Sequence, residues 1–225
     1  AYAMTGQAEP AIADFTAAIG IKPLAATYLA RGRLYLAQGH KDLALQDYDS
    51  ALRYEPKNSE ALYQRGLIHF DQQDYSDAIA DFDRALQINR RFATAFDARG
   101  NAHMRENQND LALQDYSRAI AIEPRLAAAY EHRAQLYNQI GQFDQAIQDY
   151  SQAFRLAPDR VSTLVGRGKA YMSRGQYDAA IQDFTAATRL APHNADIARE
   201  LHQANLEKSK QDVARKISVE SNIPN

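Results

Sequence analysis

The sequence predicts an all-α solenoid of antiparallel helix hairpins stacked in a row, five of them complete. Three observations carry this. Arg-Gly recurs at 31–32, 65–66, 99–100 and 167–168, with Arg133-Ala134 in the slot between, and Asp followed by an aromatic recurs at 47–48, 81–82, 115–116, 149–150 and 183–184. The shift is 34 residues, or a multiple of it, throughout. A fixed period of this length marks stacked repeats, each burying its apolar face against its neighbours. Within each period, two segments with apolar spacings of three, four and seven flank a short polar break, so each segment presents one apolar face, as a helix does.

The elements follow in order. Residues 1–24 read as a partial leading repeat. Ala1–Gly6 closes a first helix, with Tyr2 in the slot of Tyr35, and Ala8–Ile21 is its partner, with Ala11, Phe15 and Ala18 in their slots. The expectation is that the natural chain continues before Ala1, or that another chain covers this end. Five repeats then occupy 25–58, 59–92, 93–126, 127–160 and 161–194. Gly32, Gly66, Gly100, Ala134 and Gly168 share one slot on the first helices. Gly inside a helix costs about 1 kcal/mol relative to Ala, so its return implies a neighbour too close for a larger side chain. The second helices carry Ala44, Ala78, Ala112, Ala146 and Ala180 in one slot and Ala51, Ala85, Ala119, Ala153 and Ala187 in another. Tyr48, Phe82, Tyr116, Tyr150 and Phe184 fill the space beside these contacts, with Tyr28, Leu62, Phe96, Tyr130 and Leu164 on the first helices.

Short turns inside the hairpins fall at Gln38-Gly39-His40, Gln72-Gln73-Asp74, Asn107-Gln108-Asn109, Ile140-Gly141-Gln142 and Arg174-Gly175-Gln176. Pro56, Pro124, Pro158 and Pro192 stop the second helices, because Pro disfavours helix in the residue before it. Asn89-Arg90 takes that slot in the second repeat and predicts a weaker stop there. Beyond Asn194, an N-cap, residues 195–217 carry Ile197, Leu201 and Ala204 on one face and read as a capping helix, with a tail over 218–225.

Composition narrows the function. The net charge is −2 and the basic residues are dispersed, which leaves no footprint for nucleic acid or an anionic membrane surface. No apolar run approaches spanning length, so membrane insertion is not expected. The absence of Cys excludes disulfides and thiolate chemistry without choosing a compartment. His69 and His103 occupy the slot of Tyr35, Tyr137 and Tyr171, one ring replacing another. No Asp/Glu/His cluster has metal-ligand spacing, no Gly-rich loop joins a strand to a helix, and no nucleophile motif is present. A catalytic pair of Glu131 and His132 is the weaker reading, and neither an enzyme nor a cofactor is expected.

The fifth repeat supplies Leu164, Gly168, Tyr171, Ala180, Phe184, Ala187 and Pro192. On these residues the chain resembles the tetratricopeptide repeat family over about residues 1–194. The resemblance implies a right-handed superhelix whose first helices line a concave groove for a peptide or partner segment. Carried over position by position, the groove comprises Leu29, Arg33, Leu36, Tyr63, Leu67, Phe70, Asp97, Asn101, Met104, Glu131, Gln135, Asn138, Lys169 and Met172. The first part of this set is apolar and the middle acidic and amide-rich. Ordinary packing between first helices is the alternative for the apolar members. The Lys/Asn/Arg clamp of the chaperone-binding members is absent, since the matching positions include Leu29, Arg33, Gln64, Thr94 and Ala98.

One departure from the family pattern recurs. Its usual Leu before the Gly is Arg31, Arg65, Arg99, Arg133 and Arg167, each with an Asp 16 residues later: Asp47, Asp81, Asp115, Asp149 and Asp183. With the turn midway, the two stand at similar height on the two helices and predict a ladder of ion pairs, each Arg meeting an Asp of its own repeat or the preceding one, against the alternative of solvated charges worth about 0–1 kcal/mol. The function expected is a protein-binding scaffold whose partner carries an apolar anchor and a basic or amide-rich extension. Assembly with copies of itself through the chain ends stays open. The rival reading is an interaction or regulatory module of a larger enzyme or secretion machine.

Overall fold

The structure, a computed structural model, describes residues 8–221, with side chains as far as Ser218. The expected leading segment Ala1–Gly6 and the last four residues of the tail lie outside the described residues. Among the described residues every regular element is an α-helix. The chain divides after Ile122 into two compact units. The first holds α1 (Ala8–Ile21), α2 (Ala25–Ala37), α3 (Lys41–Tyr54), α4 (Ser59–Asp71), α5 (Tyr75–Ile88), α6 (Ala93–Arg105) and α7 (Asn109–Ile122). The second holds α8 (Ala127–Gln139), α9 (Phe143–Leu156), α10 (Val161–Ser173), α11 (Tyr177–Leu190) and α12 (Ala195–Ser221). Each even-numbered helix from α2 to α10 packs along the helix that follows it, and α12 lies against α11.

The turns explain why each hairpin reverses where it does. Gly39, Gln73, Asn107, Gly141 and Gly175 have φ of 83°, 68°, 60°, 78° and 67°, the left-handed conformation that ends a helix and that Gly adopts without strain. The next residue then donates its N–H back to the helix, as His40 does to Tyr35 O at 2.9 Å and Gln176 to Tyr171 O at 2.9 Å. At the starts of two helices, Asn58 Oδ1 accepts from Ala61 N at 2.9 Å and Asn194 Oδ1 accepts from Asp196 N at 3.0 Å.

Two boundaries differ from expectation. α5 ends at Ile88, in register with the helices that meet a proline. Asn89 replaces the proline by accepting from Arg91 N at 3.1 Å, and Phe92 then packs on Tyr63 with ring centroids 4.8 Å apart. The stop is therefore as sharp as the others, because a side-chain turn can do what a missing N–H does. α12 continues to Ser221, four residues beyond the expected limit at 217.

The glycine slot is a van der Waals constraint. A Cβ on Gly66 would stand 2.7 Å from a ring carbon of Phe82, and one on Gly168 would stand 2.6 Å from Phe184. Tyr48, Phe82, Tyr116 and Phe184 are consequently fully buried against the facing helix. The hydroxyls in this slot fare differently. Tyr116 donates to Asn101 Oδ1 at 2.8 Å, whereas Tyr48 Oη is buried with no partner.

The ladder of ion pairs is present in every complete hairpin. Each Arg donates from Nε and Nη2 to both oxygens of the Asp 16 residues later, at 2.6 to 2.9 Å. No Asp side chain of the ladder is more than 11% exposed and no Arg more than 21%. Hydrogen bonding to Asp115 raises the pKa of Arg99 against the opposing effect of burial, so the cation is permanent. Aromatic faces flank it: Arg31 lies 5.7 Å from the Tyr35 centroid and Arg167 lies 4.8 Å from that of Phe154. His69 and His103 take the Tyr35 position, their Nε2 atoms 3.9 and 3.8 Å from Asp81 and Asp115.

A third contact reaches the preceding hairpin, with a hydroxyl in place of the expected carboxylate at two of the four positions. Arg31 Nη1 donates to Thr16 Oγ1 at 2.9 Å, Arg65 Nη1 to Asp49 Oδ1 at 2.6 Å, Arg99 Nη1 to Asp83 Oδ1 at 2.5 Å and Arg167 Nη1 to Ser151 Oγ at 3.2 Å. All four acceptors stand on the second helix of the preceding hairpin. Each of these guanidiniums therefore closes its own hairpin and fastens it to the previous one.

These contacts rank two mutations. Asp115→Ala leaves Arg99 without its buried partner and is expected to cost up to about 3–5 kcal/mol, whereas Asp83→Ala, at a half-exposed carboxylate, is expected to cost about 0–1 kcal/mol. Urea unfolding of both variants checks the order, and equal losses would contradict it. Tyr48 provides a second prediction. An unpartnered buried hydroxyl costs about 1–3 kcal/mol, so Tyr48→Phe is expected to be neutral or stabilising, while Tyr116→Phe loses about 1 kcal/mol with its hydrogen bond to Asn101. Burial, opposed by the Arg33 charge, pushes the Tyr48 hydroxyl from 10.0 to about 12. Its protonated form then favours the fold below pH 10.0, a contribution lost as the pH rises to about 12. Tyr48→Phe should reduce that alkaline loss in pH-dependent unfolding, and an unchanged loss would rule Tyr48 out as its source.

Candidate functional site

The expected site residues lie on the first helix of each hairpin, and each unit carries its own set. In the first unit, Tyr63, Leu67 and Phe70 stand at i, i+4 and i+7 of α4 and so share one face. All three are partly buried and pack on the core formed by Ala78, Phe82, Ala98 and Ala102. Tyr63 also touches, with Leu29, the cluster of Ala25, Ala51, Leu52, Ala61, Leu62 and Ala85. Leu36 packs instead against Ala44, Tyr48 and Ile68. Each side chain has one side fixed by the core and part of its surface in solvent.

The polar members of this set are already engaged. Arg33 pairs with Glu60 on the next first helix at 2.7 Å, and Glu60 also accepts from Gln64 at 2.8 Å. Asp97 is 9% exposed, and after burial itself its charge is the chief cause of the raised Tyr116 pKa. Asn101 and Met104 surround the same hydroxyl, with Met104 Sδ at 3.9 Å. This corner of the first unit is thus built around Tyr116.

In the second unit the first-helix face forms a recess of about 530 Å³. It is lined by Glu131, Gln135, Asn138 and Gln139 of α8, Tyr150 of α9, and Ser162, Val165, Gly166 and Lys169 of α10. Four of these, Glu131, Gln135, Asn138 and Lys169, are sequence-predicted site residues. The fifth one expected in this unit, Met172, is partly buried and packs on Ala180, Phe184 and Ala204 beneath α12. Glu131 is held by Arg160 at 2.6 Å, and Lys169 pairs with Glu200 of α12 at 3.1 Å. Asn138 Oδ1 is buried with no hydrogen-bond partner.

Sequence reasoning missed Tyr150 and Gly166, and the signal was the one irregular slot. Ala134 stands where the other repeats have Gly, and its Cβ occupies the space into which the ring on the facing helix would settle. The Tyr150 phenol instead reaches so close to Gly166 that a Cβ there would overlap it. Ala134 and Gly166 are thus an exchange of one methyl group between two helices, and it brings Tyr150 to the recess wall. Burial, followed by the charge of Glu131, raises the Tyr150 pKa, so its hydroxyl remains a donor at neutral pH. Among the described residues no group of three His, Cys, Asp or Glu could hold a metal, and no helix is long and apolar enough to cross a membrane.

Comparisons agree with this architecture. Models of the tetratricopeptide repeat match residues 29–94, 100–141, 127–160 and 168–209. Among solved structures, MamA from Desulfovibrio magneticus RS-1 is similar with a TM-score of 0.66 and 25% identity, over 74% of this chain and 94% of its own. A tetratricopeptide repeat protein from Parabacteroides merdae is similar with a TM-score of 0.66 and 26% identity, over 90% of this chain and 80% of its own. The APC/C hetero-tetramer Cut9-Hcn1 shares the fold alone, with a TM-score of 0.78 at 15% identity, covering 90% of this chain and 40% of the matched one. No curated protein matches the sequence.

Proposed function

Because this chain belongs to the tetratricopeptide repeat family, a fold that serves as a scaffold for protein–protein interaction, we propose that it binds a partner segment on the face of its first helices. The single observation that carries the reading is the α4 face. Tyr63, Leu67 and Phe70 keep part of their surface in solvent while Phe82, Ala98 and Ala102 fix them from behind. Large apolar groups that are pre-positioned lose little entropy when a partner arrives, and such residues dominate binding energy at interfaces. The partner is a segment with an apolar anchor, docking as an amphipathic helix or an extended peptide. Members of this family are generally non-enzymatic scaffolds, and the site accords with that role. Glu131, the acid of the pair with His132, is tied to Arg160.

A random-peptide display library selected on the full chain supplies the ligand for the test. Tyr63→Ala combined with Phe70→Ala is expected to weaken the selected peptide by about 30-fold or more, which corresponds to about 2 kcal/mol. Circular dichroism must show the helices of the double variant intact. Unchanged affinity in the folded variant would move the interaction off this face.

A further inference from the structure

We infer that the recess between α8, α9 and α10 is a specificity pocket for a primary-amide side chain, Asn or Gln, on the docked segment. The inference rests on the reading that partners lie along the first helices. It starts from charge. Both ionised groups on the recess wall already have counter-ions, Glu131 in Arg160 and Lys169 in Glu200. A carboxylate or ammonium entering the recess would lose water and meet no uncompensated opposite charge. What the wall offers instead is neutral hydrogen-bonding functionality: Gln135, Asn138, Ser162 and the Tyr150 hydroxyl.

Asn138 narrows the ligand further. Its Oδ1 is buried without a donor, a condition that buried polar atoms rarely keep. A primary amide supplies two N–H donors and an acceptor together, so once the Asn138 amide turns to bring Oδ1 to the recess it can donate to that atom while its own oxygen accepts from Gln135 or Tyr150. It also pairs with Asn138 if the terminal amide is turned over, which an ammonium or a carboxylate does not. The space of about 530 Å³ admits a Gln side chain with room for water. The pocket is special to this hairpin, because only here does an Ala fill the glycine slot and a Gly receive the displaced ring.

The test uses the isotope-labelled full chain and N-acetyl-L-glutamine N-methylamide as the probe, with the corresponding leucine and glutamate derivatives for comparison. The expected result is a saturable displacement of the Asn138 and Gln135 side-chain amide resonances, with affinity for the glutamine probe about tenfold above that for the other two. Asn138→Leu should abolish the preference, and Ala134→Gly should weaken it by letting Tyr150 retreat toward the core. The comparison among the three probes on the unaltered chain needs no variant to fold. Equal binding of the three probes, or no saturable displacement at Asn138, overturns the inference. The groove reading fails separately, when selected peptides ignore Tyr63 and Phe70. In that event a glutamine preference lost in Asn138→Leu would still support the pocket.

Discussion

Each complete hairpin buries one aspartate between its two helices, and a carboxylate in that place is tolerable only beside a cation that matches both its oxygens. The guanidinium of the Arg 16 residues earlier is that cation, planar and with paired N–H groups at the right spacing. A buried ion pair is a weak source of net stability beside an apolar pair of equal volume, but separating its members is costly. Its effect is on register. Sliding one helix by a single residue turns its side chains by about 100° and would leave two charges stranded. The third contact, from Nη1 to the preceding hairpin, extends the same constraint to neighbouring hairpins within each unit.

The glycine slot works alongside this as a spacing rule. With no Cβ on one helix, an aromatic ring on the other can approach its backbone closely. Ala134 shows what happens when the rule is broken by one methyl group. The ring does not create a void or unfold the hairpin; it leans toward the next first helix, where Gly166 makes room. A local substitution in the core thereby alters the lining of a surface recess. Core packing and the shape of the recess are linked there through one phenol.

The two units present first-helix faces of different chemistry. The first unit offers half-buried Leu and aromatic side chains backed by core, with its charges paired or buried. The second offers amides, hydroxyls and compensated charges around a recess. Both suit recognition of a chain segment, in which apolar contact supplies affinity and hydrogen bonding supplies selectivity.

The sequence by itself determined the repeat period, the hairpins, the places of the turns and the pairing of Arg with Asp. All of these are periodic, and a periodic signal repeated five times over exceeds local noise. Only the tertiary structure decided the remainder. Thr16, Asp49, Asp83 and Ser151 share a position but no common residue type, so their role emerged only when adjacent hairpins were in contact. Among the site residues, Asp97 lies buried near Tyr116, Met172 packs beneath α12, and Glu131 and Arg33 hold partners 29 and 27 residues away. A position on a helix face tells which way a side chain leaves the backbone. Whether it then meets water, core or an opposite charge depends on neighbours that only the stacking of hairpins brings within reach.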